Sequence, residues 1–195
     1  MTALRTLLIL LAAFLSVLQS SEGIAAKPKK NWEMFNACQY VDDKNNDGDS
    51  FRVKCGEKEF ALRLYFVDAP ETHMRGQEDR AREQSDHFGI TSEQTLRGGE
   101  KAREKVREIL KGKFIVWTRW TSAAGRSKEI RYYALVEVDQ KNLTEILVSE
   151  GLARTKGSWA KLPTGEKSKD YIHRLRALED DAKKQKMGVW ADSRK

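Results

Sequence analysis

The chain has 195 residues, with 36 Lys and Arg against 29 Asp and Glu, for a formal net charge of +7. That is one domain's worth of residues, able to bury roughly two-thirds of the surface its unfolded chain exposes. A single apolar run near the start leaves no second candidate membrane helix, no internal repeat is present, and the basic surplus points to a polyanionic partner without identifying it.

Arg5 precedes the apolar run from Leu7 to Leu18, and Gly23, Ala25 and Ala26 follow, the layout of a secretory signal peptide over residues 1–26. The run is short for a membrane span, so the mature protein is expected to be exported and soluble, periplasmic or secreted, with no stable membrane insertion. Residues 27–35 read as a basic leader opening with Lys27 to Lys30. A short strand from Ala37 to Val41 leads into the polar loop Asp42 to Asp49. Phe51 to Cys55 alternates, Gly56-Glu57-Lys58 turns, and Phe60 to Val67 forms the third strand of a meander. Cys38 and Cys55 lie on the first two strands. An oxidising compartment would let them pair if register and Cα separation allow; the alternative is two small buried residues that never meet.

His73 to Ile90 is heavily charged and lacks clear periodicity, which reads as a loop or a loosely helical excursion. Thr91 with Gln94 forms a capping-box signature, and Leu96, Ala102, Val106, Ile109 and Leu110 then recur at helical spacing up to Gly112. The Gly98-Gly99 pair weakens that helix by about 1 kcal/mol per residue relative to alanine. Phe114 to Trp120 and Tyr132 to Val138 are two further strands, joined by a loop containing Gly125-Arg126-Ser127-Lys128. Leu143 to Glu150 is a helix closed by Gly151. A longer helix from Tyr171 to Lys186, closed by Gly188, carries an apolar stripe of Ile172, Leu175, Leu178 and Ala182. Strands bunched early and helices late predict an α+β fold, with a five-stranded OB-type β-barrel and three α-helices over residues 36–191 and a tail at 192–195.

The chemistry concentrates in Arg63 to Glu71, RLYFVDAPE. The stretch opens as a strand and breaks at Pro70, a break that swings Glu71 around and can bring an arginine, carboxylates and a carbonyl to one point. Asp49, in the turn Asp47-Gly48-Asp49-Ser50, can hand a second carboxylate to the same spot. Two acids and an arginine suggest a metal ion beside a phosphate.

Four blocks in order, DGDS (Asp47 to Ser50), RLYFVDAPE (Arg63 to Glu71), RYYALVEV (Arg131 to Val138), and LTEILVSEGLAR with KKQKMGVW (Leu143 to Arg154, Lys183 to Trp190), make the chain resemble the secreted staphylococcal nuclease-like, or thermonuclease, family. The resemblance implies one Ca²⁺ held by Asp49, Asp68 and the backbone carbonyl of Ala69, with Glu71 as general base and Arg63 and Arg131 as phosphate clamps. It implies endonucleolytic hydrolysis of DNA and RNA with little sequence preference, leaving 3′-phosphates, on single-stranded or flexible substrate and by a monomer. The residue types suit these roles: Ca²⁺ takes oxygen ligands in irregular geometry, and the planar fork of arginine can grip two phosphate oxygens at once. Ala69 stands where the family has threonine, and Ile130 where a glycine precedes the second arginine, for which role Arg126 is a competitor. The alternative is a catalytically silent nuclease-like module that binds nucleic acid or protein.

Other features have blander readings. Asp43, Asn45, Asp47 and Asp49 fit the first half of an EF-hand loop, but Lys54 stands where a bidentate Glu is needed and strands flank the loop. His73, His87 and His173 lack ligand spacing and read as surface residues. Trp159 is a candidate base-stacking residue or a buried anchor for its loop. Arg126, Lys128 and Lys156 are candidates for a phosphate-attracting rim.

Overall fold

The computed structural model describes residues 31–123 and 129–194. The signal-peptide segment and the Gly125 to Lys128 loop, with Arg126 as a rival to Arg131, lie outside the described residues. In chain order the elements are β1 (Glu33–Val41), β2 (Ser50–Cys55), β3 (Lys58–Leu64), β4 (Val67–Asp68), α1 (Glu78–Phe88) and α2 (Ser92–Ile109). They continue as β5 (Phe114–Ala123), β6 (Arg131–Val138), β7 (Lys141–Asn142), α3 (Leu143–Ser149), β8 (Arg154–Thr155), α4 (Ser168–Lys184) and a 3-10 turn at Gly188–Asp192.

The fold is α+β, and its main sheet turns back on itself. Antiparallel pairings run β3-β2-β1-β5-β6, and a parallel pairing of β3 with β6 joins the two ends of that series into a ring of five strands. Phe51, Val53, Leu62, Leu64, Val116 and Val136 turn to the buried side and fill the main core. Cys38 and Cys55 form a disulfide between β1 and β2. They continue the Gln39–Lys54 register, so the bond joins residues directly opposite each other. No helix among the described residues is long and apolar enough to cross a membrane.

Three expectations change. The described residues hold four α-helices where three were expected. The extra one is α1, inside the stretch read as a loop, and its buried positions are Ala81, Gln84, Ser85 and Phe88. That spacing is helical, but two of the four residues are polar, so apolar periodicity does not reveal it. The third strand ends at Leu64 rather than Val67: Phe66 takes a left-handed conformation (φ 72°), and β4 leaves the main sheet to pair with β8. The backbone there is held by Phe66 N donating to Ser158 O and Lys156 N donating to Phe66 O, both at 3.0 Å, which sustains a conformation disfavoured for a bulky residue. The first strand also begins earlier, at Glu33.

The Gly98-Gly99 pair has a packing reason. A Cβ on Gly99 would stand 2.6 Å from the Pro70 carbonyl oxygen and closer still to that of Glu71. Only glycine lets α2 approach this turn so closely. Helix α2 begins at the expected capping box, with Thr91 Oγ1 accepting from Gln94 N and Gln94 Oε1 accepting from Thr91 N.

Candidate active site

Strand register sets the site. Ser50 on β2 lies opposite Arg63 on β3, and Arg52 opposite Ala61. The parallel pairing then sets Arg131 of β6 beside Ala61 and Tyr133 beside Arg63. Side chains alternate along a strand, so these six residues share the face turned away from Phe51 and Leu62. That face lines a cleft of about 960 Å³, whose wall also includes Asp47, Asp68, Glu71, Arg80, Arg154 and Lys156.

At the cleft floor Arg63 bridges two buried acids, with Nη1 2.9 Å from Asp49 Oδ1 and Nη2 3.2 Å from Asp68 Oδ1. Asp49 Oδ2 accepts from the Ala69 N–H at 3.1 Å, and Asp49 Oδ1 accepts from Ser50 Oγ at 2.8 Å. Ser50 Oγ in turn accepts from Arg63 Nη1 and from Arg131 Nη1. The structure therefore brings Asp49, Arg63, Asp68, Ala69, Glu71 and Arg131 to one place, from three separate stretches of chain.

Three participants carry no signal in the local sequence pattern. Arg154, buried on β8, donates to Asp68 Oδ2 from Nε at 2.9 Å and pairs with it through Nη2 at 2.8 Å. Arg80 on α1 pairs with Asp68 through Nη2 and with Glu71 Oε1 through Nε at 3.0 Å. Gln84, one turn further along α1 and fully buried, donates to Asp68 Oδ2 at 3.0 Å and to the Ala69 carbonyl at 2.8 Å. It also accepts from the Glu71 N–H at 2.9 Å. One amide side chain thereby spans the whole Asp68 to Glu71 turn. Chain order offers a hint only in retrospect: Arg80 and Gln84 are four apart, on one helix face.

Charge balance follows from these contacts. Burial alone would raise the Asp68 carboxyl, but Arg80, Arg154, the Gln84 hydrogen bond and Arg63 outweigh it and hold the group down at about 2. Burial pushes Glu71 above the usual carboxylate range; Arg80 opposes that, and the charges of Asp49 and Asp68 reinforce it. Asp47 is driven well above its ordinary value by burial and by Asp49 beside it. The Arg63 guanidinium loses hydration, yet Asp49, Asp47 and Asp68 hold it firmly charged.

The expected Ca²⁺ ligands can be tested against these contacts. No three carboxylate, imidazole or thiol groups among the described residues form an all-side-chain metal cluster. The resemblance calls for two carboxylates and a backbone carbonyl, and Asp49, Asp68 and Ala69 supply that all-oxygen set around one guanidinium, the donor chemistry a hard cation takes. In the structure the same oxygens accept from Arg63, Arg80, Arg154 and Gln84. A cation there has to displace at least one of them.

The remaining candidates take structural places. In the EF-hand-like loop, Asp47 Oδ1 accepts from the N–H groups of Asp49 and Ser50, at 3.0 and 2.6 Å, so it caps its own turn. His87 is 2.7 Å from Glu179, which also accepts from Thr155 N, tying α1 to α4 and β8. Trp159 is 44% exposed and packs its ring 5.7 Å from that of Phe66. Lys156 lines the cleft and pairs with Glu83.

Comparison with known proteins places residues 61–192 in a match to the family described as staphylococcal nuclease homologue. The chain is also similar to "Endonuclease YncB" of Bacillus subtilis (strain 168), 28% identical over 152 residues that cover 77% of this chain and 61% of that protein. The chain thus spans less than two-thirds of the length of that curated relative.

Proposed function

The chain belongs to the staphylococcal nuclease homologue family, and on that premise we propose that it is an exported, calcium-dependent endonuclease. In this reading it acts as a monomer on DNA and RNA, with little sequence preference, and leaves 3′-phosphates. The observation that carries the reading is Arg63 bridging Asp49 and Asp68 beside Glu71 and Arg131, all bordering one cleft. The Cys38–Cys55 disulfide supports export to an oxidising compartment, as the signal-peptide pattern does.

In this mechanism Arg131 and Arg63 grip the phosphate and stabilise the charge that gathers on its oxygens as water attacks phosphorus. Glu71 takes the proton of the attacking water. The bond to the 5′ oxygen breaks, and the phosphate stays on the 3′ side. Asp49, Asp68 and the Ala69 carbonyl would hold Ca²⁺, whose charge offsets that of the phosphoryl oxygens. Gln84 and Gly99 fix the turn that presents Asp68, Ala69 and Glu71.

The test is incubation of the purified protein with denatured DNA and with RNA in Ca²⁺, with a chelator as control. Chelator-sensitive cleavage yielding 3′-phosphate ends is expected; no cleavage overturns the reading. A second reading, a silent nucleic-acid-binding module, is favoured by one observation: Asp68 is engaged by three guanidinium groups at once. Binding without cleavage in Ca²⁺, weakening steeply with salt, would establish it.

A further inference from the structure

Asp68 has more cationic partners than one carboxylate needs, and the three are not equivalent. The side chains of Arg63 and Arg154 are 10% and 3% exposed, whereas that of Arg80 is 36% exposed and borders the cleft. Of these three arginines, only Arg80 also pairs with the Glu71 carboxylate. Its backbone is well anchored: Gln84, one turn on, is fastened to the Asp68 to Glu71 turn, and Phe88 packs against Trp190 with ring centroids 4.7 Å apart. A fixed backbone carrying a long, partly exposed cationic side chain can trade one anion for another by rotation about its side-chain bonds.

We propose that Arg80 is a third phosphate-contacting arginine of this site, paired with Asp68 and Glu71 and transferred to a phosphate oxygen once a divalent cation takes Asp68. The inference rests on the calcium-dependent nuclease reading and names a residue that the family motifs do not contain. Its logic is competition. Asp68 Oδ1 already accepts from both Arg63 and Arg80, which use its two lone pairs, so a divalent cation at that oxygen competes with Arg80 and the Arg80 contact lowers the protein's apparent affinity for the cation. Release of Arg80 also frees the Glu71 oxygen it occupies, and leaves a bidentate donor at the cleft wall where the phosphate must lie. The helix that carries Arg80 thereby joins loading of the cation to arming of the site.

The experiment is Ca²⁺ titration by calorimetry, without nucleic acid, on the full protein and on Arg80→Ala, together with kcat and KM on denatured DNA. Arg80→Ala is expected to bind Ca²⁺ at least tenfold more tightly and to lose at least tenfold in kcat. Unchanged or weaker Ca²⁺ binding overturns the proposal, and so does tighter binding with undiminished kcat. Arg80→Lys, which keeps the charge but cannot bridge both acids with a planar fork, is expected to bind Ca²⁺ more tightly as well and serves if the alanine variant fails to fold. Wild-type protein that neither binds Ca²⁺ nor cleaves DNA defeats the nuclease reading and this inference with it; wild type that does both, alongside an indifferent Arg80→Ala, defeats the inference alone.

Discussion

Arg63 and Arg131 converge on one acceptor, each donating from Nη1 to Ser50 Oγ, at 3.2 and 3.1 Å. Beyond that shared oxygen they differ. Arg63 is locked between Asp49 and Asp68, while Arg131 has no carboxylate partner among the described residues and its Nε is buried without a hydrogen-bond partner there. One guanidinium is tied into a buried pair of acids, and the other keeps a buried Nε without a partner among the described residues.

The two arginines should therefore separate stability from turnover. Arg63→Ala leaves two buried acids short of a partner and is expected to cost about 3 kcal/mol or more of stability along with activity. Arg131→Ala should change stability by no more than about 1 kcal/mol and still lower turnover by about 10³-fold. Urea unfolding and initial rates on denatured DNA check both. Equal destabilisation by the two would refute the division of labour.

Gln84→Met keeps the volume and removes three hydrogen bonds, to Asp68, Ala69 and Glu71. With buried polar groups left short of partners, it is expected to cost about 3 kcal/mol and to reduce kcat at least tenfold. The same two measurements read it out, and a variant as stable and active as wild type would show that the turn holds itself.

Alanine is ordinarily the better helix residue by about 1 kcal/mol, yet Gly99→Ala is expected to destabilise, because its Cβ would press on the carbonyls of Pro70 and Glu71. Activity should fall with it, as Glu71 shifts. Gly112→Ala, where nothing lies within 4 Å of the added Cβ, is the control and should be silent. Thermal unfolding of the pair decides.

The Asp68 carboxyl is held at about 2 in the folded protein against an ordinary 3.8. A depressed carboxylate contributes stability above its unfolded value, and that contribution disappears as pH falls toward the folded one. About 2 kcal/mol of stability should therefore be present at neutral pH and vanish progressively between pH 4 and 2. Asp68→Asn lacks this contribution, so the stability gap between wild type and variant should narrow over that interval. A gap independent of pH would contradict the arginine cluster as described.

The site residues that sequence alone reveals announce themselves by local pattern. A strand ending at a proline with acids on both sides marks Asp68 and Glu71, and a DGDS turn marks Asp49. Even the α2 cap at Thr91 and the helical positions around Ala102 could be read directly. Arg80, Gln84 and Arg154 could not, because their importance lies in what they touch. Helix α1 buries Gln84 and Ser85 where a periodicity search looks for Leu or Val, since it docks on a polar turn and not only on a core. The end of β3 was hidden for a related reason. Tyr65, Phe66 and Val67 look like continuing strand, and the left-handed Phe66 is imposed by contacts with Lys156 and Ser158, distant in sequence.

The β3–β6 seam has an implication for how competence is acquired. It is the pairing that joins the ends of the strand series, and it is parallel, so no tight hairpin can template it. It must wait until the segment from Tyr65 to Ile130 has found its path, a long loop to close. The same seam sets Arg131 alongside Arg63. Partly folded forms with intact helices and a sound β1–β3 meander but an open seam would lack Arg131 beside Arg63, so the proposed phosphate grip would be incomplete in them.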